Sequence, residues 1–320
     1  MRLVRATIAA TAATILVAGA GCAGDDSPSP AGSGGLTTVN VSTIGVSGAA
    51  AMVLGVQKGI FREAGLDVRV VPAEAPAVIP SLMSGQAQIG FLNAPAVLLA
   101  RTNGVPVVAV ASTSTNPADP ADNFIQLQVA ADGPIRSAKD LQGRTVAVDT
   151  LYQLPHVSIR NALRAEGADV NAVKFTELPF TAMADALKTG AVDAVLPAEP
   201  FVTIGLAAGA RNLLSASVGQ TPTMPQSVFL ATETFVKTER ATADRFRTAL
   251  TEACDYARAH PDEVRAILPT YTKVQAGLAG KIRLPNYTTA ADASGWQQWA
   301  DVLTQQQVAK KPIKLDGAYL

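Results

Sequence analysis

The sequence predicts a two-lobed α/β protein, with mainly parallel sheets covered by helices and a cleft between the lobes. Three observations carry this expectation. First, two segments repeat one unit: SLMSGQAQIGFLNAPAVLLA from Ser81 lies over ALKTGAVDAVLPAEPFVTIG from Ala186, with Leu82 on Leu187, Gly85 on Gly190 and Pro95 on Pro200. Each copy ends a helix at Gly, runs an apolar strand and opens the next helix with Pro, residues suited to those two positions. Second, the match continues outward, PVVAVAS at Pro106 over RNLLSAS at Arg211, and TVNVSTIG at Thr38 with TVAVDT at Thr145. Third, strands and helices alternate along the chain, the pattern of an α/β sheet.

Taken in order, the first lobe opens with a strand over Val39–Gly45 and a helix over Ala49–Ala64, whose Ala49, Met52, Val53, Val56 and Ile60 share one face before Gly65 stops it. Leu66–Pro72 alternates apolar with polar residues as a strand. Helix, strand, helix and strand follow to Ser112, and TSTNPADPAD from Thr113 reads as a turn-rich crossing. Phe124–Ala130 is an extended strand, and KDLQGRTVAVDT opens the second lobe, with helices over about Pro155–Glu166, Ala182–Thr189 and Pro200–Ala208. QTPTMPQ from Gln220 is the return crossing, after which a helical tail packs on the first lobe. Trp296 and Trp299 share a face of the last helix as packing residues. The organisation expected is therefore 1–21 leader, 22–37 tether, 38–112 with 231–320 as the first lobe, and 113–230 as the second.

Composition limits the function classes. Of 320 residues, 48% are hydrophobic and 16% charged, with 26 basic against 26 acidic side chains. Removing the segment that carries Arg2 and Arg5 leaves a slight acidic excess, so a nucleic-acid partner is not expected. Arg2 and Arg5 precede an apolar run from Ala6 to Val17, too short for a membrane span and shaped as an export signal. Gly19-Ala20-Gly21-Cys22 resembles a bacterial lipobox that would lipidate Cys22, with Gly19 where the pattern prefers Leu. Ala18-Gly19-Ala20 also fits cleavage to a soluble product. The following AGDDSPSPAGSGG cannot pack and suits a tether. With Cys254 as the other cysteine, no disulfide framework is possible; its place on an apolar helical face marks it as a buried small hydrophobe. His156 and His260 have no metal-ligand spacing, and neither metal nor cofactor is expected.

The stretches VQKGIFREAGLDVRVV, SLMSGQAQIGF, KDLQGRTVAV, ALKTGAVDAVLPAEP and SVFLATETFVKTERATADRFRTALTEACDYARAHPDEV, in this order, resemble the periplasmic solute-binding proteins of ABC importers. The branch is the one with nitrate, sulfonate, taurine and thiamine-precursor pyrimidine binders, and the resemblance spans Thr38 to about Leu303. It implies a type II periplasmic-binding-protein fold with two hinge crossings, action as a monomer on the outer side of the cell membrane, and delivery of ligand to a permease and its ATPase. Enzymes of the superfamily that make the thiamine pyrimidine carry a cysteine-rich loop that this chain lacks, so it is read as a binder and not an enzyme. A surface sensor is the other alternative.

Ligands of open α/β sheets meet the carboxyl ends of strands, where helix N-termini offer unpaired N–H groups and partial positive charge. The candidate lining is therefore the loops Gly45–Ala49, Leu92–Ala94, Asp149–Gln153 and Ala198–Glu199, with the helix entry Phe180-Thr181 and the crossing start Thr113-Ser114. Ser47 and Gly48 are candidates for a polar ligand group or simply helix capping. Asn93 is a cap that also points to the cleft. Tyr152 and Phe180 suit a ring sandwich or local packing, and His156 faces either the cleft or solvent. Thr113 and Thr181 complete the set. Glu199, beside Pro200, either pairs with an amine or ring N–H or interacts with its helix terminus. Those loops contain no Arg or Lys. A nitrogen heterocycle or amine is accordingly favoured, with sulfonate or nitrate remaining possible. Hinges are expected at Thr113–Asn123 and Thr221–Gln226.

Overall fold

The computed structural model describes residues 35–320 except 116, 118, 120, 121 and 217–222. The expected leader, Cys22 and most of the tether lie outside the described residues, as do parts of both crossings.

The first sheet is built from β1 (Thr37–Thr43), β2 (Leu66–Pro72), β3 (Ile89–Asn93), β4 (Val107–Thr115), β10 (Pro225–Thr232) and β11 (Asn286–Tyr287), in the order β11-β4-β10-β3-β1-β2. The second contains β5 (Gln126–Ala130), β6 (Thr145–Val148), β7 (Lys174–Glu177), β8 (Ala194–Val195) and β9 (Ala210–Ser215), in the order β7-β6-β8-β5-β9. The five-strand pattern is the same in both. β2, β1, β3, β10 and β4 correspond in turn to β7, β6, β8, β5 and β9, which places every repeated sequence segment at an equivalent position. In each sheet the three strands at one edge, β3-β1-β2 and β8-β6-β7, are parallel, whereas β10 runs antiparallel to β3 and β4, and β5 antiparallel to β8 and β9. The sheets are therefore mixed rather than mainly parallel. The reversal arises because β5 and β10 are the strands on which the chain arrives from the opposite lobe.

That arrival also moves a boundary. β10 joins the first sheet from Pro225, pairing Pro225 with Thr115 and Ser227 with Ser114, ahead of the change expected at residue 231. Thr113 to Thr115 and Pro225 to Gln226 are thus held in a strand ladder, which denies them the torsional freedom of a hinge. Between the ladders, Asn123 ties the crossings together by donating from Nδ2 to the Ala216 carbonyl at 2.9 Å.

The repeated unit sits as the sequence implies. α3 (Ala75–Met83) and α6 (Phe180–Lys188) both end before a glycine in the left-handed region, Gly85 at φ 75° and Gly190 at φ 74°. α4 (Ala94–Thr102) carries Pro95 in its first turn. α7 (Phe201–Ala207) starts one residue after Pro200, which precedes the helix instead of opening it. The single helix expected over Ala49–Ala64 is a 3-10 turn (Ser47–Ala49), α1 (Ala50–Lys58) and α2 (Ile60–Glu63). Gly59, at φ 83°, ends α1 in the left-handed conformation that glycine adopts without strain.

The first lobe's core runs through α9 (Arg240–Ala259), which lies against α1 and β4. Gly55 permits the close crossing, since a Cβ there would stand 2.6 Å from Ala253 Cβ. Phe61, Phe246, Phe229 and Phe91 form a buried chain with ring centroids 5.2, 5.4 and 5.2 Å apart. Cys254 is buried on this face with Thr113 Oγ1 at 3.6 Å, and burial pushes its thiol up to about 12, an inert packing residue as expected. α10 (Pro261–Tyr271) and α12 (Ala293–Gln305) complete the lobe, the latter burying both tryptophans: Trp296 stacks on Tyr319 at 5.0 Å and Trp299 donates to the Pro225 carbonyl.

Candidate functional site

The carboxyl ends of β1 and β2 face those of β6 and β7 across a cavity of roughly 780 Å³. Ile44 to Val46 extend from β1, Pro72 to Pro76 lead from β2 into α3, Asp149 ends β6, Glu177 ends β7, and Leu178 to Thr181 enter α6. Phe201 contributes from α7, and Thr270 to Lys273 from the end of α10. Both lobes thus bring a strand-to-helix turn to one space, where sheet topology favours binding.

Its walls divide into two chemistries. Phe180 stacks on Phe201, centroids 5.7 Å apart and planes inclined by 20°, giving an apolar aromatic floor with Leu178 and Ile44. The lining also carries three carboxylates, Glu74 from the first lobe and Asp149 and Glu177 from the second, with Lys273 the one cationic lining residue among the described residues. Asp149 is half-buried as a residue, yet its Oδ1 is sealed and without a partner. Burial pushes its carboxyl up to about 7, reinforced by the charges of Glu177 and Glu74 and opposed by the backbone N–H groups of Thr150 and Asp149. Tyr271 is fixed at the cavity's edge by donating its hydroxyl to the Val46 carbonyl at 2.9 Å, and burial raises the phenol.

Of the residues singled out in the sequence, Phe180 and Thr181 line this cavity. Ser47, Asn93 and Glu199 lie instead where the lobes touch. Ser47 N donates to the Glu199 carbonyl at 2.8 Å, and Ser47 Oγ is buried without a partner. Gly48 is a packing glycine: a Cβ would stand 2.8 Å from Ser227 Oγ and 2.9 Å from Phe91 Cζ. Asn93 caps α4 through Oδ1, accepting from Ala96 N at 3.0 Å, and reaches the other lobe through Nδ2.

Glu199 is 1% exposed, and its carboxylate is committed within the protein. It accepts from Thr203 N and Oγ1 at 3.1 and 2.9 Å, which serves the start of α7, and from Arg283 N at 3.3 Å. Burial raises its pKa, while the Thr203 and Arg283 groups oppose the rise. Of the two readings offered for Glu199, these bonds are those of the helix-terminus reading. Thr113 lies within β4, buried against Cys254 rather than opening a crossing.

α5 (Leu154–Ala165) begins beside Tyr152, which adopts φ 66° and is 54% exposed. Tyr152 N donates to His156 Nδ1 at 2.8 Å, and the His156 ring lies between Tyr152 and Phe175, centroids 5.4 and 4.5 Å away. His156 is therefore buried, neither in the lining nor in solvent. Burial, with a lesser contribution from the Arg160 charge, lowers its pKa to about 4, so the ring is neutral with its proton on Nε2.

Sequence reasoning named the Asp149 loop but missed Glu74, Glu177 and Lys273. The available signal was strand-end position, since Glu177 closes the second-lobe equivalent of β2 and Glu74 follows β2 itself. Lys273 had none, because it reaches the cavity from a helix distant in sequence. Among the described residues no group of three metal-ligating side chains converges, and no helix is long and apolar enough to cross a membrane.

Residues 47–264 match the family model described as NMT1/THI5 like. A Haemophilus influenzae protein named for thiamine biosynthesis is 25% identical over 278 residues, 83% of this chain and 85% of its own. The formylaminopyrimidine-binding protein of Halalkalibacterium halodurans is 22% identical over 282 residues, 82% and 83% of the two chains. Among solved structures, the alkanesulfonate-binding protein of Xanthomonas axonopodis bound to MOPS aligns with a TM-score of 0.76 at 17% identity, over 89% of this chain and 99% of its own. The nitrate-binding protein of Synechocystis aligns at 0.71 and 16% identity, over 88% and 84%. The fold is thus that of the periplasmic binding proteins, as the repeat and the resemblance implied.

Proposed function

The chain belongs to the NMT1/THI5-like family, and from that premise we propose that it is the extracytoplasmic solute-binding component of an ABC importer. It takes a small nitrogen-bearing organic molecule between its lobes and presents the closed form to a permease. The observation that carries this reading is the cavity itself, where the stacked Phe180 and Phe201 meet three carboxylates across two lobes. An aromatic floor accepts a flat ring, and carboxylates accept hydrogen bonds from amines or ring N–H groups. Cys22 supplies the lipid anchor in this proposal, and the exported domain acts as a monomer.

One observation favours a second ligand class. The starts of α3 and α6 border the cavity, and helix N-termini attract anions such as sulfonate or nitrate. Against this, Pro76 removes one N–H from the first turn of α3, and the carboxylates repel an anion. An enzymatic reading has less support, since Cys254 is buried away from the cavity with a raised pKa. A thermal-shift screen of residues 36–320 against aminopyrimidines, amines, sulfonates and nitrate tests the proposal. Stabilisation by a nitrogen base supports it, whereas stabilisation by sulfonate or nitrate alone transfers the site to the anion class.

A further inference from the structure

The cavity has an asymmetry of charge that goes beyond the choice of a nitrogen-bearing ligand. Glu74 stands on the first lobe, between β2 and α3; Asp149 and Glu177 stand on the second, at the ends of β6 and β7. Lys273, after α10, is the one positive side chain in the lining among the described residues. When all four groups are ionised, negative charge exceeds positive in a partly aromatic cleft between the lobes, where like charges are costly to bring together. Asp149, a lining residue, moreover leaves its Oδ1 without a hydrogen-bond partner, a local deficit that a donor reaching it would relieve.

We propose that the ligand is an organic cation whose charge is shared by Glu74 of one lobe and Asp149 and Glu177 of the other, so that its capture and lobe closure are one event. The inference rests on the solute-binding reading of this cavity and adds the charge class and the residues that read it. An empty cavity keeps carboxylates of the two lobes in mutual repulsion; a cation between them turns that repulsion into attraction from both sides. An uncharged isostere fills the same volume but leaves the repulsion in place, and charge is therefore the discriminating feature.

Proton linkage follows from the same geometry. Asp149 is held near neutrality by burial and by Glu177 and Glu74, and the cation restores its ionised form. Lys273 lines the same cavity, and on α5 His156 is neutral beside the Arg160 charge. Binding below pH 7 therefore expels a proton from Asp149 to solvent, and affinity rises with pH through about 7 and levels above it.

The test uses a matched pair of probes with one ring, 4-amino-5-aminomethyl-2-methylpyrimidine, a cation at pH 7, and its uncharged N-formyl derivative. Putrescine, choline, an alkanesulfonate and nitrate extend the set. Titration calorimetry on residues 36–320 at pH 6, 7 and 8, in two buffers of different ionisation enthalpy, reads affinity and proton release together. The expected result is a cation that binds at least 10-fold more tightly than its uncharged or anionic counterparts, with proton release at pH 6 that vanishes in Asp149→Asn. Glu74→Gln, on the other lobe, weakens that cation about 10-fold while leaving the melting temperature of the empty protein within a few degrees. An uncharged heterocycle that binds as tightly as any cation, and survives both substitutions, overturns the cation clamp yet leaves the nitrogen-ligand reading standing. Binding of sulfonate or nitrate alone, or of nothing in the set, overturns both.

Discussion

Asn93 Nδ2 donates to Gln153 Oε1 across the two lobes at 3.0 Å, while Asn93 Oδ1 accepts from Ala96 N at the start of α4. One side chain therefore caps its own helix and holds the residue that precedes α5 in the opposite lobe. Leu154 N adds a longer bond to Asn93 Oδ1 at 3.4 Å, and Ser47 N to the Glu199 carbonyl makes a second bridge at 2.8 Å. Residues of the kind the sequence assigns to a ligand here join lobe to lobe.

Substitution separates the two duties of Asn93. Gln153→Ala removes the bridge alone and is expected to cost under about 1 kcal/mol, a typical net hydrogen bond. Asn93→Ala loses the cap as well, and about 1 kcal/mol more. Urea denaturation measures the difference, and small-angle scattering of Gln153→Ala should give a larger radius of gyration. Identical scattering from the two proteins would show that this bond does not hold the lobes together.

Asp149 makes the stability of the protein fall with rising pH between about 4 and 7. Its folded pKa of about 7 lies above the ordinary value of 3.8, so the native state retains a proton that the unfolded chain has lost. Stability accordingly falls as pH rises from about 4 to 7 and flattens above. Asp149→Asn should remove that slope and exceed the native protein by up to about 4 kcal/mol at pH 8, read from urea midpoints across the range.

His156 acts with the opposite sign. A folded pKa of about 4, below the ordinary value of 6.5, means that the stability of its neutral form is present above pH 6.5 and is lost as pH falls towards 4. Nitrogen NMR should find Nδ1 unprotonated at pH 6 with the proton on Nε2. A ring that titrates near 6.5 would contradict the buried bond from Tyr152 N.

Gly48→Ala distinguishes packing from ligand contact. The new Cβ meets Phe91 Cζ at 2.9 Å and Ser227 Oγ at 2.8 Å, and Phe91 is locked in the core beside Phe229. A loss of roughly 1–3 kcal/mol in the ligand-free protein is expected, as for other overpacked sites. Unchanged thermal stability with lost ligand binding would instead assign Gly48 to the site.

Much of the fold was legible because the signals were local. The repeat around Gly85 and Gly190 placed two helix ends and two strands, and apolar spacing located the buried faces of α1 and α9. The break at Gly59 was less visible, since a glycine inside a helical pattern reads as tolerated until its φ is known. The cavity was only partly legible. Strand-end loops led to Phe180, Thr181 and the Asp149 loop, but whether a loop residue meets ligand, its own helix or the other lobe depends on partners far along the chain.

The sequence by itself determined the repeat, the two-lobed α/β class and the family, because periodicity, glycine placement and motif order are properties of neighbouring residues. Only the tertiary structure decided that Glu199 serves Thr203 and Arg283, that Asn93 reaches Gln153, and that Glu74, Asp149, Glu177 and Lys273 share one cavity. Apart from Glu199 with Thr203, one helical turn on, those relationships join residues dozens to about two hundred positions apart, and their geometry exists only once both sheets are built and brought face to face.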